Sequence, residues 1–323
     1  MAPLSIAPMA LGDIFDRLFK LIGTTWLRNL TIAAIILGPA GLIMGASADM
    51  GFSQLANLME SRDYVDPFSS AELSTLIGFA LWFAVGLTLM LIGTVTTTVA
   101  VTIIGCAEIS GESISWQEAL SRTFHIRVVK VFGQYILEGA LLAAIIAIPY
   151  MLLIVGIAVD SVALGFVGGL LFLAAMLAAV YLGISFAFTV PAIGWEDADV
   201  IESFKRSWSL VRRNWWRTFG ILLLMGIMVS FAASILMTPL YLIFLWDFFK
   251  AYFEAISTIA GGESDPTIFI TMIKSLGFGI GILSAISSII QLIITPLYTV
   301  VLYFDLRARK GEFSQTSSGV VVP

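Results

Sequence analysis

The sequence predicts an all-α integral membrane protein: six transmembrane helices in three repeats, each an interfacial amphipathic helix followed by a helical hairpin. Three observations carry that prediction. The 323 residues are 59% hydrophobic against 12% charged, with a mean hydropathy of +0.99, a composition unsuited to a water-facing surface. Six long stretches carry almost no charge, and the basic residues gather in short segments placed before every second stretch.

A spanning helix needs about 20 predominantly apolar residues. The stretches that meet or approach this are Leu30 to Ala46, Thr75 to Ala107, Gly133 to Val159, Ser161 to Gly194, Phe219 to Trp246 and Ser275 to Phe304. The first is short for a bilayer core of about 30 Å, and the second is long enough to tilt or project beyond one face. Pro39, Pro149 and Pro239 fall inside the odd-numbered stretches and point to kinked or discontinuous helices. The external segments Ser47 to Ser74 and Asp247 to Lys274 read as long connections, the second broken at Gly261-Gly262.

Orientation follows from Lys and Arg. Fourteen of the 17 basic residues lie before the first stretch, between the second and third, between the fourth and fifth, or after the sixth. The chain is expected to be a multi-pass protein of the inner (plasma) membrane, and the positive-inside rule puts both termini in the cytoplasm.

The segments before stretches one, three and five share an apolar stripe at helical spacing. It comprises Ile14, Leu18, Leu21 and Ile22 in the first, Trp116, Leu120, Phe124 and Val128 in the second, and Val200, Ile201, Phe204, Trp208 and Val211 in the third. Such helices lie in the headgroup plane with the apolar face down. Each carries an acid followed four residues later by a base: Asp16 with Lys20, Glu118 with Arg122, and Glu202 with Arg206. An exposed pair of this kind contributes only about 0.2–0.5 kcal/mol, so the segments read chiefly as solvated faces that hold anionic headgroups. The repeats run over about 9–107, 113–194 and 197–310, within one membrane domain of residues 1–313. Residues 314–323 form a small, polar tail that reads as disordered.

Composition also excludes. A net charge of −5 does not suit a general nucleic-acid binder, and one cysteine, Cys106, allows neither an intrachain disulfide nor a cysteine-rich metal site. One histidine, His125, cannot build an H-E-x-x-H zinc site, and no cofactor motif is evident. Within the stretches the candidate polar site is Glu138 with Gln134 one turn before it, and Gln291 in the last stretch. Glu138 reads either as a proton, cation or headgroup site, or as a boundary carboxylate that snorkels or pairs with Lys130. Thr94, Thr96, Thr97, Thr98 and Thr102 either line a polar path or bond their own helix.

Two runs carry a resemblance. Thr189-Val190-Pro191-Ala192-Ile193, the acidic turn Glu196-Asp197, and Glu202 through Arg217 form the first. The second runs from Pro296-Leu297 through Tyr303-Phe304-Asp305-Leu306-Arg307-Ala308-Arg309-Lys310-Gly311, and Leu11-Gly12-Asp13-Ile14-Phe15-Asp16-Arg17 adds a matching start. Together they resemble the multi-pass membrane domain attached to some glycerophosphoryl diester phosphodiesterases. The resemblance implies the membrane module alone, because the enzyme's catalytic barrel of about 250 residues with paired histidines has no room here. The expected function is a non-catalytic inner-membrane module, not an enzyme, that organises or docks membrane partners or lipids. The alternative is a transporter or lipid-translocating protein with a path between the hairpins, its polar site formed by Glu138, Gln134 and Gln291.

Overall fold

A computed structural model describes residues 7–61, 69–124, 126–261 and 266–313. His125 and the 314–323 tail lie outside the described residues. The elements are α1 (Leu11–Ser61), α2 (Ser70–Ile109), α3 (Trp116–Phe124), α4 (Arg127–Ala158), α5 (Val162–Ser185), α6 (Thr189–Glu196), α7 (Val200–Val211), α8 (Trp215–Phe244), α9 (Trp246–Ala260) and α10 (Pro266–Arg309). The protein is all-helical among the described residues, and six of its helical stretches are long and apolar enough to cross a membrane.

The helices depart from the expected pattern in three places. First, α3 and α7 are separate short helices ahead of α4 and α8, but no separate helix precedes the first span. Asp16 and Lys20 lie on α1, which runs unbroken for 51 residues, about 77 Å at 1.5 Å per residue. Between Ile22 and Leu30 the weakest helix former is Gly23, at a cost of about 1 kcal/mol, and the Thr25 hydroxyl is satisfied by donating to the Leu21 carbonyl. After α7, by contrast, Asn214 N–H donates to the Val211 carbonyl in a turn that ends the helix. Second, much of both expected external connections is helical, because α1 continues to Ser61, α2 begins at Ser70, α9 spans Trp246–Ala260 and α10 begins at Pro266.

The third departure concerns proline. Pro39, Pro149 and Pro239 sit inside α1, α4 and α8, which run past them without interruption. The break occurs instead within the fourth stretch, where α5 stops at Ser185 and α6 starts at Thr189. Pro191 explains the position: its ring opposes a continuous helix through residue 187, while as the third residue of α6 its missing N–H falls among donors without an intrahelical partner.

The chain divides into two compact units. One is drawn from Leu27–Thr97 and Ile227–Thr295. Its core gathers Ala33, Leu37, Ala40, Met44, Met90 and Ala285. Here α1 and α10 meet backbone to backbone: a Cβ added at Gly281 would fall 2.1 Å from Gly45 N. The other is drawn from Met1–Trp26, Thr98–Gly226 and Pro296–Pro323. Its core includes Ile14, Phe188, Leu210, Val301, Tyr303 and Phe304, all essentially without exposure. It also holds the α4–α5 hairpin, turned at Asp160, whose φ is 52°, and capped by Ser161 Oγ accepting from Leu164 N–H at 3.4 Å. The two helices touch through glycine. A Cβ at Gly156 would lie 2.4 Å from Gly165 N, and one at Gly168 would lie 2.6 Å from Leu153 N.

Candidate functional site

The chemistry-bearing side chains of the second unit collect where α6, α7 and the last turns of α10 meet. The α5–α6 break leaves the Phe188 N–H and the Ser185 carbonyl without helix partners, in a buried place where an orphaned group costs about 1–3 kcal/mol. Ser207 of α7 supplies both: its Oγ accepts from Phe188 N–H at 3.1 Å and donates to the Ser185 carbonyl at 2.7 Å. Ser203 and Ser207, one turn apart, are fully buried with Leu210 and Val211. The protein-facing side of α7 is therefore this small, partly polar face. Phe204 and Trp208 of the expected stripe flank it, edge-on to Phe186 at 4.8 Å and to Tyr181 at 5.7 Å.

Asp305 is the buried charge of the region, with 0% exposure. It accepts from Met9 N–H at 2.7 Å, from Arg309 Nε at 3.0 Å and from Arg217 Nη1. The same two guanidiniums donate to the Met9 carbonyl, at 2.9 Å from Arg217 and 2.7 Å from Arg309. One carboxylate and two arginines thus fasten the segment before α1 to the start of α8 and the end of α10. Charge-assisted bonds of this kind are about twice as strong as neutral ones.

A second cluster surrounds Arg206. The sequence pairs it with Glu202, but the structure does not: Glu202 is exposed, and Arg206 turns to Glu196 at 2.8 Å and Glu312 at 2.7 Å. Both glutamates lie across a helix junction, where two bidentate bonds exceed what one exposed neighbour on the same helix offers. Arg307 joins from α10, 3.2 Å from Glu196 and 2.8 Å from Glu312, with its guanidinium over Tyr303, Phe304 and Phe313. Gly311, at φ 79°, makes the reversal that returns Glu312 to these arginines. Burial opposes charge on both Arg206 and Glu312, but their mutual hydrogen bonds prevail: the Arg206 pKa is raised and the Glu312 pKa lowered.

The other predicted residues separate. Glu118 and Arg122 form the expected pair at 2.7 Å. Asp16 and Lys20 are exposed on α1. Lys130 does not reach Glu138; it bonds Asp199 at 3.0 Å and Asp197 at 3.5 Å. Glu138 is joined to Gln134, whose Nε2 donates to it while the buried Oε1 has no hydrogen-bond partner. Gln291 belongs to the first-described unit, where it donates to Ser287 Oγ at 3.1 Å. Thr96 and Thr102 donate to the carbonyls of Ile92 and Thr98 on their own helix, and Cys106 is a buried free thiol. Among the described residues no group of three or more His, Cys, Asp or Glu could hold a metal ion.

Sequence reasoning missed Ser207 and the role of Asp305. The available signal for Asp305 was an acid between Phe304 and Leu306, in an apolar run, with Arg309 four residues on.

A family model described as a domain of unknown function (DUF7847) matches residues 18–306. The chain belongs to that family. The match takes in the α6–α7 segment and reaches Asp305, so both charged clusters draw on it. No curated protein matches the chain, and no solved structure does.

Proposed function

We propose that this protein is a non-catalytic inner-membrane module that organises lipids and membrane partners at its cytoplasmic face. The supporting observation is how the basic residues sort. Arg206, Arg217, Arg307 and Arg309 are spent on internal carboxylates. Lys205, Arg212 and Arg213 are exposed on and just after α7, beside Trp216 at the start of α8, and these face outward to anionic headgroups. The positive-inside bias assigns this end to the cytoplasm, and the resemblance to the membrane domain of glycerophosphoryl diester phosphodiesterases fits a module that serves other proteins. The test is the lipid retained by the purified protein. Replacing Lys205, Arg212 and Arg213 together by Gln should release anionic lipid without lowering the unfolding temperature; unchanged retention refutes the reading.

The second reading, a transporter or lipid-translocating protein, is favoured by the Gln134–Glu138 pair inside a span and by the buried Gln134 Oε1. Under that reading Glu138→Gln abolishes flux in vesicles with folding intact.

A further inference from the structure

The short helix α9 presents three separate faces. At about 100° per residue its side chains sort into arcs. Phe248, Ala251, Ala255 and Thr258 share one arc and turn toward the protein: Ala251 is buried and the other three are half-buried. Trp246, Tyr252, Phe253, Ile256 and Ile259 share the next arc, about 140° wide, and all five are exposed. Asp247, Lys250, Glu254 and Ser257 fill the remainder and are exposed as well, Asp247 and Lys250 forming an ion pair at 2.6 Å. No charge interrupts the apolar arc, and no apolar side chain interrupts the charged one.

The place of α9 follows from α8. The 30 residues of α8 cover about 45 Å, as much as a bilayer with its headgroups. Trp216 and the basic residues stand at the start of α8, so α9 begins at the other membrane face, with Trp246 where an interfacial aromatic belongs. Leu245, at φ −112° and ψ 21°, separates the two helices, and α10 packs against that corner: a Cβ added at Gly279 would lie 3.0 Å from the Phe244 carbonyl oxygen and 2.9 Å from the Leu245 side chain. Tyr241, Leu242, Ile243 and Phe244 are all exposed, so the apolar surface of the span continues into the apolar arc of α9.

We infer that α9 is an interfacial helix, lying in the headgroup plane of the leaflet away from the basic residues, with Phe253 and Ile256 among the upper acyl chains and Asp247 and Glu254 in water. Its three faces then meet protein, lipid and water. In water the apolar arc would stay hydrated, and across the bilayer core the charged arc would lie in hydrocarbon; at the boundary each arc matches its surroundings. Length agrees, since 15 residues cover about 22 Å, short of a core of about 30 Å. Charge selects the kind of contact. One lysine stands against Asp247 and Glu254, so the exposed arc carries no net positive charge, and the anchor is hydrophobic without need of anionic headgroups. In this it differs from the lipid contact proposed for the basic residues around α7, and it stands apart from that proposal.

The test is the fluorescence of bimane on single cysteines in a Cys106→Ala background, with the full chain reconstituted in phosphatidylcholine vesicles and iodide present on both sides of the membrane. Labels at Phe253→Cys and Ile256→Cys should lose signal to phospholipid brominated high on its acyl chains, lose less to phospholipid brominated near the chain ends, and stay bright in iodide. Glu254→Cys should show the reverse, losing signal to iodide and little to either lipid. Adding phosphatidylglycerol should change none of this. Ala260→Cys in the apolar arc and Ser257→Cys in the charged one repeat the comparison with every large side chain left in place. Iodide quenching of both arcs would put α9 in water, and an apolar arc reached by neither quencher would put a protein partner or a second copy on it. Stronger quenching by the deeper bromines would make α9 part of a span, and quenching that requires phosphatidylglycerol would make the contact electrostatic. Each of these results would overturn the inference.

Discussion

Within one unit of this protein two regions meet different demands. Along the α4–α5 hairpin only 6% and 11% of the most apolar windows are buried, and Ile148, Leu173 and Leu177 stand in the open. Around Asp305 and Ser207, a carboxylate, two serine hydroxyls and the broken backbone of the fourth stretch are buried and paired. In lipid there is little hydrophobic gain from pressing two apolar helices together, so the hairpin relies on close backbone approach at Gly156, Gly165 and Gly168 and on a short turn. The buried end relies on directional bonds that are costly to leave unmade. The contrast teaches that hydropathy alone misplaces the stability of such a protein: its most apolar helices are its least buried.

The largest expected effect comes from the buried end. Asp305→Ala leaves two guanidiniums and the Met9 N–H without their acceptor, and should cost about 3–5 kcal/mol, read as a lowered thermal midpoint in detergent. A midpoint within error of the wild type would break the comparison. In the hairpin, Gly156→Val drives a side chain into the Gly165 backbone and should cost about 1–3 kcal/mol, whereas Gly139→Val, with nothing within 4 Å, should be neutral. Equal effects from both would mean that close approach is not what holds the hairpin.

Smaller effects sharpen the comparison. Ser207→Ala orphans the Phe188 N–H and the Ser185 carbonyl together and should cost about 2–3 kcal/mol, the low end for two such groups; Ser209→Ala, on the exposed side of α7, should cost less. Burial disfavours the charged Glu312, yet its hydrogen bonds to Arg206 and Arg307 leave its folded pKa below the unfolded value of about 4.3. Its contribution is therefore fully present above the unfolded pKa and is lost as pH falls through the lower folded one. With solvent screening the effect should stay under about 1 kcal/mol. Glu312→Gln should flatten the acid limb of the stability profile, and a limb of unchanged slope would count against the contact.

The apolar stretches were legible because each spanning helix must present about 20 apolar residues whatever it packs against. The Glu118–Arg122 pair was legible because it is local to one helix turn. What escaped the sequence was tertiary. Arg206 prefers Glu196 and Glu312 over Glu202 because residues distant in the chain converge on it, and no i,i+4 rule contains that. Of the two expectations for proline in α1, α4 and α8, kinked or discontinuous helices, the discontinuous one falls, because the helices run on past it. It was underrated at Pro191, where a serine from another helix satisfies the interruption. The separate first elbow failed because nothing between Ile22 and Leu30 stops a helix strongly enough.

The central contrast can be tested by spin labelling of the reconstituted protein. Cys106 is buried, and a Cys106→Ala background leaves single labels at Leu177→Cys on the hairpin and Lys205→Cys on α7, both exposed positions. Membrane-dissolved oxygen should relax the label at residue 177, and a water-soluble nickel chelate should leave it untouched, with the opposite pattern at residue 205. Relaxation of the residue 177 label by the chelate would place the outer face of the hairpin in water and contradict the account.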